Sequence, residues 1–100
     1  MSESVIVAYY HRVDLRSVAC FVRVAETLHF GRAALDLHLS QPALSQRIRT
    51  LEQEVGAQLL ARNRRGVRLT EAGQAFLKPA RVLLAHSDRA IDLARRAGSG

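Results

Sequence analysis

A single cysteine, Cys20, excludes any intrachain disulfide from this chain of 100 residues, and no cysteine–histidine pair has zinc-finger spacing. His11, His29, His38 and His86 are scattered without acidic companions, so no metal site and no cofactor are expected. Lysine is nearly missing. Lys78 is the only one among 15 basic residues, so the positive charge rides on arginine, which favours planar pairing with phosphate or guanine over mere solubilisation. Long apolar runs are missing too: Val5 to Tyr10, without a basic leader or cleavage pattern, is too short for a signal peptide or a membrane span. A cytoplasmic protein without a membrane partner is expected. Paired catalytic groups are also lacking, since Glu52 and Glu54 lie two apart on a helix and no Ser, His and Asp constellation is visible. That inventory excludes an enzyme. Cys20 lies off the apolar stripe of its helix with no base nearby, and reads as a small packed residue rather than a nucleophile.

What is present fits one small domain. Apolar residues make up 48% of the chain, enough for a modest core to which a second chain could add surface. The net charge is +6, and its distribution matters more than its size. Residues 1–58 hold six basic and six acidic residues, whereas residues 59–81 hold Arg62, Arg64, Arg65, Arg68, Lys78 and Arg81 against Glu71 alone. A concentrated window of this kind is the footprint expected for nucleic acid, with an acidic membrane surface as the weaker alternative.

Residues 1–13 lack a helical stripe and read as an extended or mobile leader. Asp14 can cap a first helix to about Leu28, with Leu15, Val18, Val22 and Ala25 on one face and Phe21 and Leu28 widening it. Gly31 permits a turn, and residues 32–38 form a second short helix with Ala34 and Leu37 inward. Ser40 caps a third helix, Pro42 fits its first turn, and Gly56 ends it in a left-handed conformation. On that helix Leu44, Ile48, Leu51 and Val55 share a stripe, while Pro42, Gln46, Arg49 and Gln53 point the opposite way. Amide and guanidinium groups can read base edges through paired hydrogen bonds, so this face is a candidate recognition surface; alone, it could equally be solvated.

After the third helix, Gln58 to Arg62 and Val67 to Thr70 flank the turn-prone Asn63-Arg64-Arg65-Gly66. A β-hairpin is favoured over a basic loop, because Asn and Gly stand where positive φ would be needed. The second and third helices, joined by a tight turn and the latter with a Gln and Arg face, make a helix-turn-helix, and a hairpin beside one is a wing, whose Arg tip can enter a narrow minor groove. Thr70 then caps a helix reaching about Ala97, roughly 40 Å long at the usual rise. Ala72, Phe76, Pro79, Leu83, His86, Ala90, Leu93 and Ala97 follow one another at spacings of four and three, with Ala80, Leu84, Ile91 and Ala94 broadening the face. A stripe running past its own domain is most simply covered by the same helix of a second chain. Phe76, Pro79, Leu83, His86, Ala90 and Leu93 are its expected contacts, and Pro79 predicts a kink or, less favoured, two helices. His86 reads as a neutral, satisfied side chain in the seam.

The stretch FVRVAETLHFGRAALDLHLSQPALSQRIRTLEQEVGAQLLARNRRGVRLTEAGQAFL, Phe21 to Leu77, resembles the DNA-binding region of the LysR-type transcriptional regulators. The resemblance implies a mainly α fold: a winged helix-turn-helix over residues 14–70, with a three-helix core and a two-stranded wing, then a long linker and dimerisation helix over 71–97. It also implies a bacterial regulator that binds an interrupted palindromic promoter site in double-stranded DNA as a homodimer or higher oligomer, responds to a small-molecule effector through a domain beyond these residues, and is in a position to contact RNA polymerase. On the matching positions, Gln41, Pro42, Ser45 and Gln46 of recognition helix 41–55 are assigned to base edges in the major groove. Arg49 is left between base and phosphate, and Arg62, Arg64, Arg65 and Arg68 of wing 62–68 go to the minor groove or phosphates, with Arg65 at the family's minor-groove position. Position 46 is often Arg in the family; Gln46 makes adenine the expected target here. Leu60 replaces a frequent aromatic, a change of packing only. A helical protein-interaction module and a sequence-neutral nucleoid binder are the rival readings.

Overall fold

The computed structural model describes residues 13–99; the expected leader lies, but for Val13, outside them. Helix α1 (Leu15–Thr27), α2 (Phe30–Asp36) and α3 (Gln41–Val55) precede strands β1 (Leu60–Asn63) and β2 (Gly66–Leu69), and α4 (Glu71–Ser99) follows. The fold is the mainly helical, winged arrangement expected.

Local chemistry sets most boundaries. The Asp14 side chain accepts the Arg16 N–H at 2.9 Å to start α1, which buries Val18, Phe21 and Val22. Leu28 ends the helix at φ 51°, and this left-handed turn carries its side chain off the core face, leaving it 46% exposed instead of widening that face. The second helix differs from expectation as well. It starts at Phe30, not residue 32, because the His29 imidazole caps it, Nδ1 accepting the Arg32 N–H at 2.9 Å. The chain thus turns at Leu28, and Gly31 lies inside α2, where an added Cβ would stand 3.0 Å from the His29 ring and 3.3 Å from the Gln41 amide. Asp36 closes α2 two residues early, and the tight link to α3 puts His38 at φ 56°.

Ser40 caps α3 by accepting the Ala43 N–H at 3.2 Å, Pro42 sits in the first turn, and Gly56 ends the helix at φ 82°. Leu44, Ile48 and Leu51 enter the core, whereas Val55, at the departing end, stays exposed. Around them Phe21, Val24, Leu59 and Ala80 complete a close-packed centre.

β1 and β2 pair antiparallel, Leu60 opposite Leu69 and Asn63 opposite Gly66. Only Gly66 of the turn takes positive φ, 128°; Asn63 does not. Its Oδ1 accepts the Arg65 N–H at 2.8 Å, so asparagine bends the chain through its side chain rather than its backbone. The hairpin is tied to α3 by Glu52, whose Oε2 accepts the Leu59 N–H at 2.7 Å and the Leu60 N–H at 3.2 Å. Glu52→Ala would strand two part-buried donors. It is expected to lose about 1.5–3 kcal/mol, the range for hydrogen bonds to charged groups, readable as a fall in urea midpoint without a change in m-value.

Thr70 Oγ1 accepts the Gly73 N–H at 3.0 Å and donates to the Gln58 carbonyl, joining the start of α4 to the base of the wing. α4 continues through Pro79 as one 29-residue element. Its first turns belong to the domain: Gly73 and Ala80 are buried, and Phe76 meets Phe21 with ring centroids 5.5 Å apart. Surface ion pairs Arg81–Glu26 and Arg23–Asp36 add α4 and α2 to α1. From Ala85 to Ser99 every residue but Ser87 is exposed. The apolar seam is therefore two surfaces. Ala72, Phe76, Ala80 and Leu84 pack within the domain, and the part open to a second chain begins at Pro79.

Candidate nucleic-acid interface

Burial of Leu44, Ile48 and Leu51 turns the other side of α3 outward. Gln41, Pro42, Gln46 and Arg49 are exposed on it, and Ser45 is half-buried at its edge. Arg49 Nη2 donates to Gln46 Oε1 at 2.9 Å, so these two side chains form one unit that restricts both rotamers. Gln53 is exposed toward the C-terminal end of the helix.

Beside this face stands the wing. Arg62, Arg64, Arg65 and Arg68 are all exposed, with Arg64 and Arg65 between the strands at the tip. Among the described residues none of these four, nor Arg47 or Arg49, makes an ion pair with the protein's own carboxylates. Arg81, counted in the same basic window, is different, because it lies 3.7 Å from Glu26 on the domain body. The free charge is thus narrower than the sequence window. A cluster of unneutralised guanidiniums next to an outward amide face suits a polyanion that also offers donors and acceptors.

Arg62 does not stand apart like the other wing arginines. Its guanidinium carbon lies 3.9 Å from the centroid of the Phe30 ring, and Nη1 donates to Ser45 Oγ at 3.3 Å. Sequence reasoning missed Phe30 and Glu52 as residues that hold the site together, because Phe30 meets Arg62 from far along the chain and Glu52 reaches Leu59 and Leu60 only once the chain has turned at Gly56. The dipeptide His29-Phe30 ahead of an alanine-rich helix was the available signal for a cap and an anchor. Cys20 is buried, and burial pushes its thiol up against a partial offset from Arg47, consistent with packing rather than nucleophilic chemistry. His86, Ala90 and Leu93 all lie on the exposed stretch of α4, distant in sequence from the basic face.

Three helices, a two-stranded wing and an unpaired basic rim define a winged helix-turn-helix. The model of the bacterial regulatory helix-turn-helix proteins, lysR family, matches residues 15–74, and the chain belongs to that family. The uncharacterised HTH-type transcriptional regulator YnfL of Escherichia coli is 52% identical over 88 residues, 88% of this chain and 30% of that protein. The BenM DBD/catB site 1 DNA complex is 40% identical with a TM-score of 0.82, covering 87% of this chain and 98% of that one. The H2O2-bound OxyR C206S mutant of Corynebacterium glutamicum is 39% identical with a TM-score of 0.79, over 84% of this chain and 27% of that chain. This chain therefore spans under a third of the length of YnfL and of OxyR. Relatives of this kind are named as regulators, not enzymes. Among the described residues no helix is long and apolar enough to cross a membrane.

Proposed function

We propose that this chain binds double-stranded DNA with sequence preference, α3 (residues 41–55) in the major groove and wing 62–68 at the minor groove. The observation that carries this reading is the juxtaposition of the outward Gln41, Pro42, Gln46 and Arg49 with four wing arginines that have no carboxylate partner among the described residues. Gln41, Ser45 and Gln46 read base edges, Pro42 lies against them at the groove floor, and Arg49 both steadies Gln46 and faces base or phosphate. Arg65 enters the minor groove, with Arg64 and Arg68 against phosphates. The BenM domain, alike over nearly its whole length and solved in complex with DNA, supports duplex binding by this chain.

In this reading two copies pair through the exposed seam of α4, where Leu83 and Leu93 are 42% and 52% exposed, alongside Pro79, His86 and Ala90. A homodimer presents two recognition helices about one or two helical turns apart, matching a palindromic promoter site in a bacterial cytoplasm. In a longer regulator of the length of YnfL or OxyR, of which this chain spans under a third, the same reading adds a small-molecule effector, higher oligomers and contact with RNA polymerase.

Titration of a duplex selected from a random pool, and of its scrambled counterpart, across several salt concentrations tests the proposal. Preference for the selected duplex supports it, and equal affinity for both gives the chain to the nucleoid-binder reading. No affinity at moderate salt leaves the protein-interaction module. On the same titration Arg64→Ala is expected to weaken both duplexes alike and flatten the salt slope by about one unit, the signature of one lost phosphate contact.

A further inference from the structure

We propose that Arg62 is a positioning residue that locks the wing to the recognition helix, an inference resting on the DNA-binding reading above. Three separate elements meet at this one side chain. It springs from β1, stacks on Phe30 at the first position of α2, and donates to Ser45 on α3. Phe30 is 7% exposed, so the ring is a fixed platform rather than a mobile surface group. Glu52 and Thr70 anchor the hairpin at its base, at Leu59, Leu60 and the Gln58 carbonyl. Further out, Asn63 through Gly66 and Arg68 are exposed and Val67 is half-buried. Across the hairpin Val67 packs against the core, and Arg62, paired opposite it, is the tether that joins the outer half of the hairpin to α2 and α3.

Such a tether bears on specificity because helix and wing must seat on one duplex at once, in grooves whose separation is set by the DNA. A wing held at a fixed distance from α3 contributes binding energy only when the helix is in register; a swinging wing binds phosphates in any register. The contact also defines what can replace arginine. A planar guanidinium stacks on a ring face and donates along its edge at the same time, whereas an ammonium is a strongly hydrated point charge without a face. Arg62→Lys therefore keeps the charge and removes the lock.

The test uses the 100-residue chain, a duplex it selects from a random pool, and a scrambled duplex. Arg62→Lys and Phe30→Leu are each expected to lower the selected-to-scrambled affinity ratio roughly tenfold, within the range of a partly desolvated cation–π contact, while the salt slope of Arg62→Lys stays at the wild-type value. Their double variant is expected to fall no further than either single one. Phe30→Tyr, which keeps the ring, is expected to keep the ratio. Without DNA, the Arg62 side-chain proton resonances are expected to lie upfield from ring current and to return to ordinary positions in Phe30→Leu. Wild-type behaviour of Arg62→Lys, additive losses in the double variant, or no ring-current shift would each overturn the lock. Should Phe30→Leu unfold, Arg62→Lys, Phe30→Tyr and the wild-type spectrum still decide. If the wild type itself does not distinguish the duplexes, the sequence-preferring reading fails while the spectrum still reports on the contact.

Discussion

Gly73→Ala is expected to destabilise the domain by about 3 kcal/mol or more, the upper part of the range for overpacking a closed core. A Cβ at this position would stand 2.0 Å from the Leu59 carbonyl oxygen and 3.0 Å from its carbon, with the Leu69 side chain at 3.1 Å. Only the last of these can swing aside. The Leu59 backbone is fixed from both directions: Glu52 holds its N–H, and its carbonyl accepts the Thr70 N–H at 3.0 Å. Relieving the clash means lifting α4 away from β1, which pulls Thr70 off Gln58 and Phe76 off Phe21. At roughly 4–8 °C per kcal/mol for a domain of this size, the melting temperature should fall by more than 10 °C. Gly98→Ala is the control, since nothing lies within 4 Å of a Cβ there. A Gly73→Ala protein that melts with the wild type would mean that the Leu59 carbonyl does not lie against α4 at Gly73.

Features set by near neighbours were legible in the sequence. Asp14, Ser40 and Thr70 start helices because their oxygens reach an N–H two or three residues on, and Gly56 and Gly66 supply positive φ where other residues would be strained. Errors arose where a residue used a less usual means to the same end. Leu28 turns left-handed without being glycine, His29 caps through a ring nitrogen, and Asn63 turns the chain by its side chain, so the α2 start and the turn chemistry were displaced. Periodicity along α4 was correct as a pattern, yet it could not tell which partner covers each step; Phe76 faces Phe21 of its own domain while Leu93 faces outward. The outward residues of the candidate site were also readable, because burial of Leu44, Ile48 and Leu51 leaves the opposite side no alternative. What holds them was not, since Arg62 and Ser45, or Glu52 and Leu59, become neighbours only after the chain closes.

Gln46→Arg is expected to replace adenine by guanine at one position of the preferred site, a combined change of about 2–6 kcal/mol if one bidentate pair is lost and another formed. A carboxamide offers one acceptor and donors in a plane, matching N6–H and N7 of adenine; a guanidinium offers donors alone, matching O6 and N7 of guanine. In the free protein Gln46 Oε1 already accepts a bond from Arg49, yet its second lone pair and both amide hydrogens stay available, so this contact orients the amide without consuming it. That bond disappears in Gln46→Arg, leaving two guanidiniums three residues apart on one helical face and a modest repulsion that nearby phosphates offset. The change should therefore appear in the identity of the selected base rather than in overall affinity. Gln46→Ala separates loss from exchange: it should give up about 1–3 kcal/mol of preference at the same base pair and acquire none elsewhere. Arg49→Ala completes the comparison, since a side chain that orients Gln46 must weaken discrimination at Gln46's base pair, whereas a phosphate contact weakens every sequence alike. Selection from a random duplex pool reads all three variants together. An unchanged selected sequence for Gln46→Arg would place Gln46 outside base readout and shift that role to Gln41 and Ser45.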